Sequence, residues 1–369
     1  MHELVKRGHE VTIITAEPQF LKENAPINLT EINIHDVSYE YYKEFNSLKI
    51  KAKSAFEMSS YMFEKQILNL EIWEDQMLQR VIGNDVPPLR ELKKNVVLYF
   101  LNTHRIWDAN RPVPPNVIYL GGLHLQARRE LPKDLSEHLD SSVGVIYTSF
   151  GTNVDPSTLP PRKIKILSRV LSELPYTVLW KWNKEKLPGH SKNIVTSKWF
   201  PQADLLHHPK MRLFISQGGL QSTEEAIDAG IPLLGIPLIG DQWYNVEKYE
   251  HFKIGLKVDL ETITEGSLKQ AIDKLINDSS YRQNIIKLRQ IIRDQPQSAL
   301  KRAVWWTEYA LRHSGNVIDH LHPPVTNISW INYYELELVL NIILCYVIII
   351  IIVSSISNLI FKVVKRNSF

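Results

Sequence analysis

Three rhythms of apolar residues divide the chain. At the start, Met1–Arg7 has polar helical spacing, Gly8 stops it as a C-terminal cap would, and the β-branched run Glu10–Thr15 predicts a strand. Residues 48–82 keep helical spacing, while Val96–Asn102 and Asn116–Leu120 read as buried strands. From about Asp140 to His313 short apolar runs alternate with helical ones, the rhythm of a parallel sheet. The predicted strands there are Val143–Ser149, Thr177–Trp182, Asn193–Thr196, Met211–Ser216 and Pro232–Ile236. The predicted helices are Arg162–Leu174, Ser222–Ala229 and those filling Ser267–Arg312. The third rhythm has no polar half: Leu338–Phe361 carries no charged residue.

That last run would extend about 36 Å as a helix, enough to cross a hydrocarbon core of about 30 Å. Trp330, Tyr333 and Tyr334 stand where an aromatic interface belt belongs, and Lys362, Lys365 and Arg366 follow on the other side. The expectation is a single-pass anchor with the short basic tail in the cytoplasm and the globular part in a secretory lumen. The sequons at Asn28, Asn277 and Asn327 agree with a lumenal glycoprotein. The basic tail suits retention in the endoplasmic reticulum, although Asn367 stands where a dilysine signal wants lysine. A lumenal protein of this kind should open on a signal peptide, and Met1–Arg7 does not read as one.

The expected organisation is a first lobe over 1–127, a linker over 128–139 and a second lobe over 140–313. A juxtamembrane segment follows over 314–335, then a membrane helix over 336–361 and a tail over 362–369. The first lobe holds too few strands for a complete α/β domain, since its opening helix and strand are only the second half of a βαβ unit.

Composition narrows the function. The net charge of +3 over 369 residues, with no basic run, disfavours a nucleic-acid partner. The single cysteine, Cys345, excludes a disulfide framework within the chain and a cysteine-based metal site. No metal and no cofactor is expected. The chain lacks the G-x-G-x-x-G of dehydrogenases and the G-x-x-x-x-G-K-[ST] of P-loop enzymes.

The candidate chemistry lies at strand ends. Met211–Ser216 runs into Gln217, Gly218 and Gly219, where glycines let a ligand approach the backbone, and Ser222 is placed to cap a helix suited to a diphosphate. Gly-Gly after a strand also serves any tight turn. Glu225, one turn on, could bind ribose hydroxyls or be a solvated helix charge. Asp241 and Gln242 follow the next strand and offer several donors and acceptors to a polyhydroxyl ring. Trp199 and Gln202 flank a rigid Pro turn; the indole could stack on a base or be a core aromatic.

In this order and spacing the stretch Phe214–Gln242 resembles the signature of UDP-glycosyltransferases of the glucuronosyl and ecdysteroid glucosyl type. Trp199–Gln202, Ser149–Thr152 and the C-terminal anchor also match, over roughly Pro112 to the end, with a shorter match at Leu4–Thr15. The resemblance implies an α/β protein with the two-lobed GT-B fold, its N-terminal lobe incomplete, and UDP-sugar as co-substrate. It implies that Trp199 stacks on uracil, Gln202 contacts its edge and Glu225 binds ribose. Ser149, Thr152, Gln217, Gln221 and Ser222 would surround the phosphates, Gly218 and Gly219 would belong to the same UDP-sugar site, and Asp241 and Gln242 would hold the sugar. Glutamine at 217, where vertebrate members carry histidine, is common in the insect and baculoviral branch, which makes UDP-glucose the expected donor. The implied reaction moves a hexose, with inversion, to a hydroxyl of a small lipophilic acceptor, a detoxification chemistry.

The resemblance also implies a gap. The family's catalytic histidine follows its first strand, which would lie upstream of Met1; neither His2 nor His9 matches it. The segment carrying the orienting aspartate is missing where the chain passes abruptly through Ala55–Leu68. The chain is expected to be a truncated, internally shortened form, with its catalytic residues unassigned. His207 and His208 are expected to be structural. The alternative to an active transferase is an impaired form that binds UDP-sugar or pairs with full-length relatives; association with itself is a further expectation.

Overall fold

The computed structural model describes residues 1–15, 25–34, 70–152, 156–184, 187–189, 191–313, 320–321 and 329–366. The chain divides into two units. The first comprises Met1–Val86, Phe100–Pro112 and Ile118–Glu308, the second Pro87–Tyr99, Val113–Val117 and Tyr309–Phe369.

Near the N-terminus α1 (His2–Lys6) ends where Gly8 takes a positive φ of 87°, and His9 N–H closes back on Leu4 O. β1 (Val11–Thr15) follows and pairs in parallel with β2 (Leu29–Asn33). The expected helix over 48–82 is seen as α2 (Leu70–Ile82), its earlier part lying outside the described residues. So does Ala55–Leu68. A short α3 (Leu89–Lys94) precedes β3 (Tyr99–Leu101), which pairs with β4 (Val117–Tyr119). These strands are shorter than the apolar runs suggested. β3 is not buried, because β4 is its only partner among the described residues and leaves Tyr99 and Phe100 exposed.

The first unit's main sheet draws on mostly apolar runs. It comprises β5 (Val145–Ser149), β6 (Thr177–Lys181), β7 (Ile194–Ser197), β8 (Met211–Ser216), β9 (Leu233–Gly235) and β10 (Gly255–Lys257). The central strands β5, β6 and β8 are buried at nearly every position, as expected of strands covered on both faces. The spatial order is β10-β9-β8-β5-β6-β7, and the recorded pairings are parallel. Alternate residues face opposite layers. Ile146, Val178 and Ile215 pack with α5 (Pro161–Ser172) and, across the same face, α9 (Glu265–Asn277). Val145, Tyr147 and Phe214 point the other way. There they meet α4 (Lys133–Asp140), α7 (Leu220–Ala229), α8 (Gln242–His251) and α10 (Ser279–Arg293). One-turn α6 (Gln202–Leu205) lies between β7 and β8, and α11 (Ala299–Arg312) follows α10.

Two elements differ from the pattern. The polar stretch expected as a linker contains α4, because Leu135 and Leu139, four residues apart, give one helical face something to bury. The three-residue β10 has no legible alternation. It exists because Gly255 lets the backbone close on β9; a Cβ there would lie 2.1 Å from Leu233 O.

The second unit carries one-turn α12 (Trp330–Tyr333) and α13 (Leu336–Arg366). Within α13 the 23 residues Leu336–Asn358 have a mean hydropathy of 3.0 and none is buried in the chain's own fold, so this helix is long and apolar enough to cross a membrane. Of the expected aromatic belt, Tyr334 is exposed, while the side chains of Trp330 and Tyr333 lie outside the described set. The sequon at Asn327 and tail residues 367–369 lie outside it too.

Candidate functional site

The strand order reverses between β5 and β8, since the chain runs outward from β5 to β7 and then returns to its other side. In such sheets the crevice at the carboxyl ends of the two reversing strands is where ligands bind. Ser149 ends β5 and is paired in register with Ser216, which ends β8. The residues that follow each define the site.

After β8 the chain passes through Gln217, Gly218 and Gly219 into α7. Gly218 has φ of 89°, and a Cβ on it would meet Val246 Cγ2 of α8 at 2.4 Å. Glycine is therefore required there for conformation and packing together. Gly219 is the helix N-cap, and no side chain caps it. Ser222, expected to be the cap, is instead the third residue of the helix, because α7 begins two residues before the sequence suggested. The first-turn amides of α7 thus keep their hydrogens for a ligand.

Ser222 and Glu225, three residues apart, share a face of α7. Gln202 Nε2 donates to Ser222 Oγ at 2.9 Å and to Glu225 Oε2 at 2.7 Å. Beside them Trp199 is 68% exposed, which rejects the core-aromatic alternative. Its backbone is pinned by Ser197: Trp199 N–H donates to the hydroxyl at 3.3 Å, and the hydroxyl donates to Trp199 O at 2.9 Å.

Lys181, at the end of β6, joins the site although it is not among the residues expected there. Its Nζ lies 4.7 Å from the centre of the Trp199 ring and donates to Gly151 O at 3.1 Å and to Thr152 Oγ1 at 3.2 Å. Burial holds this ammonium below the ordinary lysine range. The available signal was a cation ending the apolar run Thr177–Trp180.

Gln217 is buried and lies against Gly151, where a Cβ would come within 2.2 Å of Gln217 Nε2. Its Oε1 has no hydrogen-bond partner. Ser149 Oγ accepts from Gly151 N–H at 3.3 Å. Ser149, Thr152, Lys181 and Gln217 therefore converge at Gly151. Gln221 is exposed on the first turn of α7.

Asp241 and Gln242 stand at the start of α8. Gln242 is buried, and its Oε1 accepts from Leu238 N–H at 2.8 Å and Ile239 N–H at 2.9 Å, so its carbonyl is committed to the loop before it. Asp241 is exposed, with Oδ2 accepting from Asn245 Nδ2 at 2.8 Å. Asn245, likewise not among the expected residues, joins three elements. Its Nδ2 donates to Gly218 O at 2.9 Å as well, and its Oδ1 accepts from Trp107 Nε1 at 2.9 Å.

The histidine pair contributes elsewhere. Buried His208 faces Asp140 at 3.3 Å, and His207 faces Asp228 at 3.3 Å while its Nδ1 meets Ala203 O at 2.8 Å. Burial alone would raise the Asp228 carboxyl, but hydrogen bonds from His207 and Arg293 hold it below its ordinary range.

A parallel sheet with helices on both faces and a reversal point at the ends of β5 and β8 is a doubly wound α/β lobe. Solved structures agree on the fold. The calicheamicin glycosyltransferase CalG4 superposes with a TM-score of 0.54 at 15% identity, covering 85% of this chain and 94% of that one. The kitacinnamycin glycotransferase gives 0.52 at 15% identity, covering 83% and 92%. The fold is that of the GT-B glycosyltransferases.

A family profile, UDP-glucoronosyl and UDP-glucosyl transferase, matches residues 54–368, and the chain belongs to this family. It is 36% identical over 316 residues to the ecdysteroid UDP-glucosyltransferase of Spodoptera littoralis nuclear polyhedrosis virus, covering 81% of this chain and 61% of that protein. It is 35% identical to UDP-glycosyltransferase UGT5 of Dactylopius coccus, covering 76% and 53%. With human UDP-glucuronosyltransferase 2B15 the identity is 34%, over 82% and 57%. The chain thus spans between half and two thirds of the length of these relatives.

Proposed function

We propose that this chain binds a UDP-sugar, UDP-glucose first, in the crevice beyond β5, β6 and β8. The observation that carries the reading is Trp199, standing exposed beside the Gln202–Glu225 pair. The indole offers its free face to uracil, Gln202 the edge contact, and Glu225 an acceptor for the ribose hydroxyls. The diphosphate then falls at the first-turn amides of α7, near Lys181, Ser149, Thr152 and Gln217, with Gln221 and Ser222 alongside. Asp241 and the Gln242 amide face the sugar.

The reaction proposed is hexosyl transfer with inversion. A hydroxyl of a small lipophilic acceptor forms a bond to the anomeric carbon as that carbon's bond to the β-phosphate oxygen breaks. UDP leaves, and the hydroxyl proton passes to a base. Amide hydrogens of α7 and the Lys181 ammonium would stabilise the charge that develops on the departing diphosphate.

A second reading, a chain that holds UDP-sugar without transferring it, is favoured by the bonding of His124. This ring reaches α7, but its Nε2 faces Gln221 O at 3.3 Å and its Nδ1 faces the Asn102 amide nitrogen at 3.3 Å. The carbonyl takes the Nε2 hydrogen and the amide fills the Nδ1 lone pair, so this imidazole has no free position for an acceptor proton.

The test is calorimetry of UDP and UDP-glucose with the full chain in detergent, beside transfer of labelled glucose to a phenol. UDP binding that weakens at least about tenfold in Trp199→Ala supports the site, in line with roughly 1–3 kcal/mol for base–aromatic stacking. Unchanged affinity removes it. Binding without turnover selects the second reading.

For location, we propose a lumenal globular part anchored by α13 in the endoplasmic reticulum. Exposure of the Asn277 side chain at the end of α9 supports glycan attachment there.

A further inference from the structure

Another face of α7 borders a cavity of about 360 Å³ in the first unit, separate from the crevice beyond β5 and β8. Trp107, Leu125, Ile227 and Ile292 make its apolar wall, and Glu224 and Asp228 reach it from α7. Its size and mixed lining fall at the lower end of small-molecule sites, which run from about 300 to 1,000 Å³.

The two carboxylates differ. Asp228 accepts from Arg293 Nε at 3.0 Å and faces His207 Nε2 at 3.3 Å, and Arg289 donates to its backbone oxygen at 3.1 Å. The Glu224 side chain is 10% exposed, yet Oε2 is buried with no hydrogen-bond partner. The Nδ1 of His124 lies 3.5 Å from that oxygen, but its lone pair already faces Asn102, so it has no hydrogen to give. A buried carboxyl oxygen left unpaired is costly, and natural structures rarely leave one so without a reason.

We propose that this cavity is a second small-molecule site, taking a neutral, mostly apolar ligand with one hydroxyl that donates to Glu224 Oε2. The body of the ligand lies against Trp107, Leu125, Ile227 and Ile292. Neutrality follows from the lining: Arg289 and Arg293 disfavour a cation, and Glu224 disfavours an anion. A phenol or a small alicyclic alcohol has the required shape and single donor. The site stands apart from the UDP-sugar reading, because the groups it uses touch neither Trp199 nor Gln202.

The probe is 4-fluorophenol, observed by its fluorine resonance at pH 8 with the full chain in detergent micelles. The expected result is line broadening beyond that of empty micelles, unchanged by saturating UDP. Glu224→Leu should weaken binding about tenfold and Glu224→Gln less. Ala299→Phe, which fills the cavity from the start of α11, should abolish it. A cooperative thermal transition establishes that each variant is folded. Broadening no greater than that of micelles, variants binding as wild type does, or displacement by UDP would each overturn the proposal.

Discussion

The main sheet and the β1–β2 pair are both parallel, yet they are held in different ways. Every residue of β5 is buried, and the strand has partners on both edges and helices on both faces. β1 is buried only at Val11 and has β2 as its one partner among the described residues, with Ile14 half exposed. The core under the main sheet joins strands and helices from residue 146 to 281, whereas the cluster under β1 consists of Leu4, Val11, Leu29 and Val304. Hydrophobic stabilisation scales with apolar area removed from water, so the two regions should differ in local opening free energy. The proposed UDP-sugar crevice is built on the strongly held region.

The largest expected effect tests that difference directly. Phe214 is fully buried and stacks on Tyr147, ring centres 5.0 Å apart. Phe214→Ala should cost about 3–5 kcal/mol and lower the main thermal midpoint. Val11→Ala removes less volume from a thinner cluster and should cost about 1 kcal/mol. If Val11→Ala also moved the main urea transition by its full cost, the two regions would be one cooperative unit and the comparison would break.

The same contrast decided what could be read from the chain. The six-stranded sheet was legible in all but β10, because its central strands are mostly apolar on both faces and their spacing sets a parallel rhythm. The glycines at 218 and 219 were legible as a turn after β8, but not the packing of Val246 that makes Gly218 obligatory. Ser222 was misplaced as a cap because propensity favours serine there, while the actual cap, Gly219, needs no side chain. Lys181 and Asn245 were missed for a common reason. Each acts through partners distant in the sequence, Lys181 through Gly151 and Trp199 and Asn245 through Trp107 and Gly218, and such pairings leave no periodic trace.

A second, smaller effect uses a carboxyl of the strongly held region. Burial pushes the Glu224 carboxyl up to about 7, against a backbone hydrogen bond from Gly122 that lowers it; His124 faces it, and Asp228, Arg289 and Arg293 line the same cavity. Between its ordinary value of 4.5 and about 7 the folded chain holds a proton that the unfolded chain has released. Stability therefore falls as pH rises through that window, by up to about 3 kcal/mol for this group. Glu224→Gln should remove that component of the slope and raise the midpoint at pH 8. A variant with the same pH dependence as wild type would place the titration elsewhere.

The smallest effect belongs to the weakly held pair and has the opposite sign. Arg7 donates to Glu308 on α11, and His9 lies 3.3 Å from the same carboxylate, which ties the turn between α1 and β1 to α11. The hydrogen bonds from Arg7 and then His9 hold the Glu308 carboxyl below its ordinary range. A carboxylate lowered in this way contributes stability above its unfolded value and loses it as pH falls through the folded one. Exposed ion pairs contribute little and are screened by salt, so the global midpoint should hardly move. The local readout is amide exchange in β1. Arg7→Ala, or acidification of wild type below the ordinary carboxylate range, should speed exchange at Val11–Thr15 while β5 keeps its protection. If β1 and β5 instead lost protection together, the clasp would be coupled to the main sheet and the two regions would open as one.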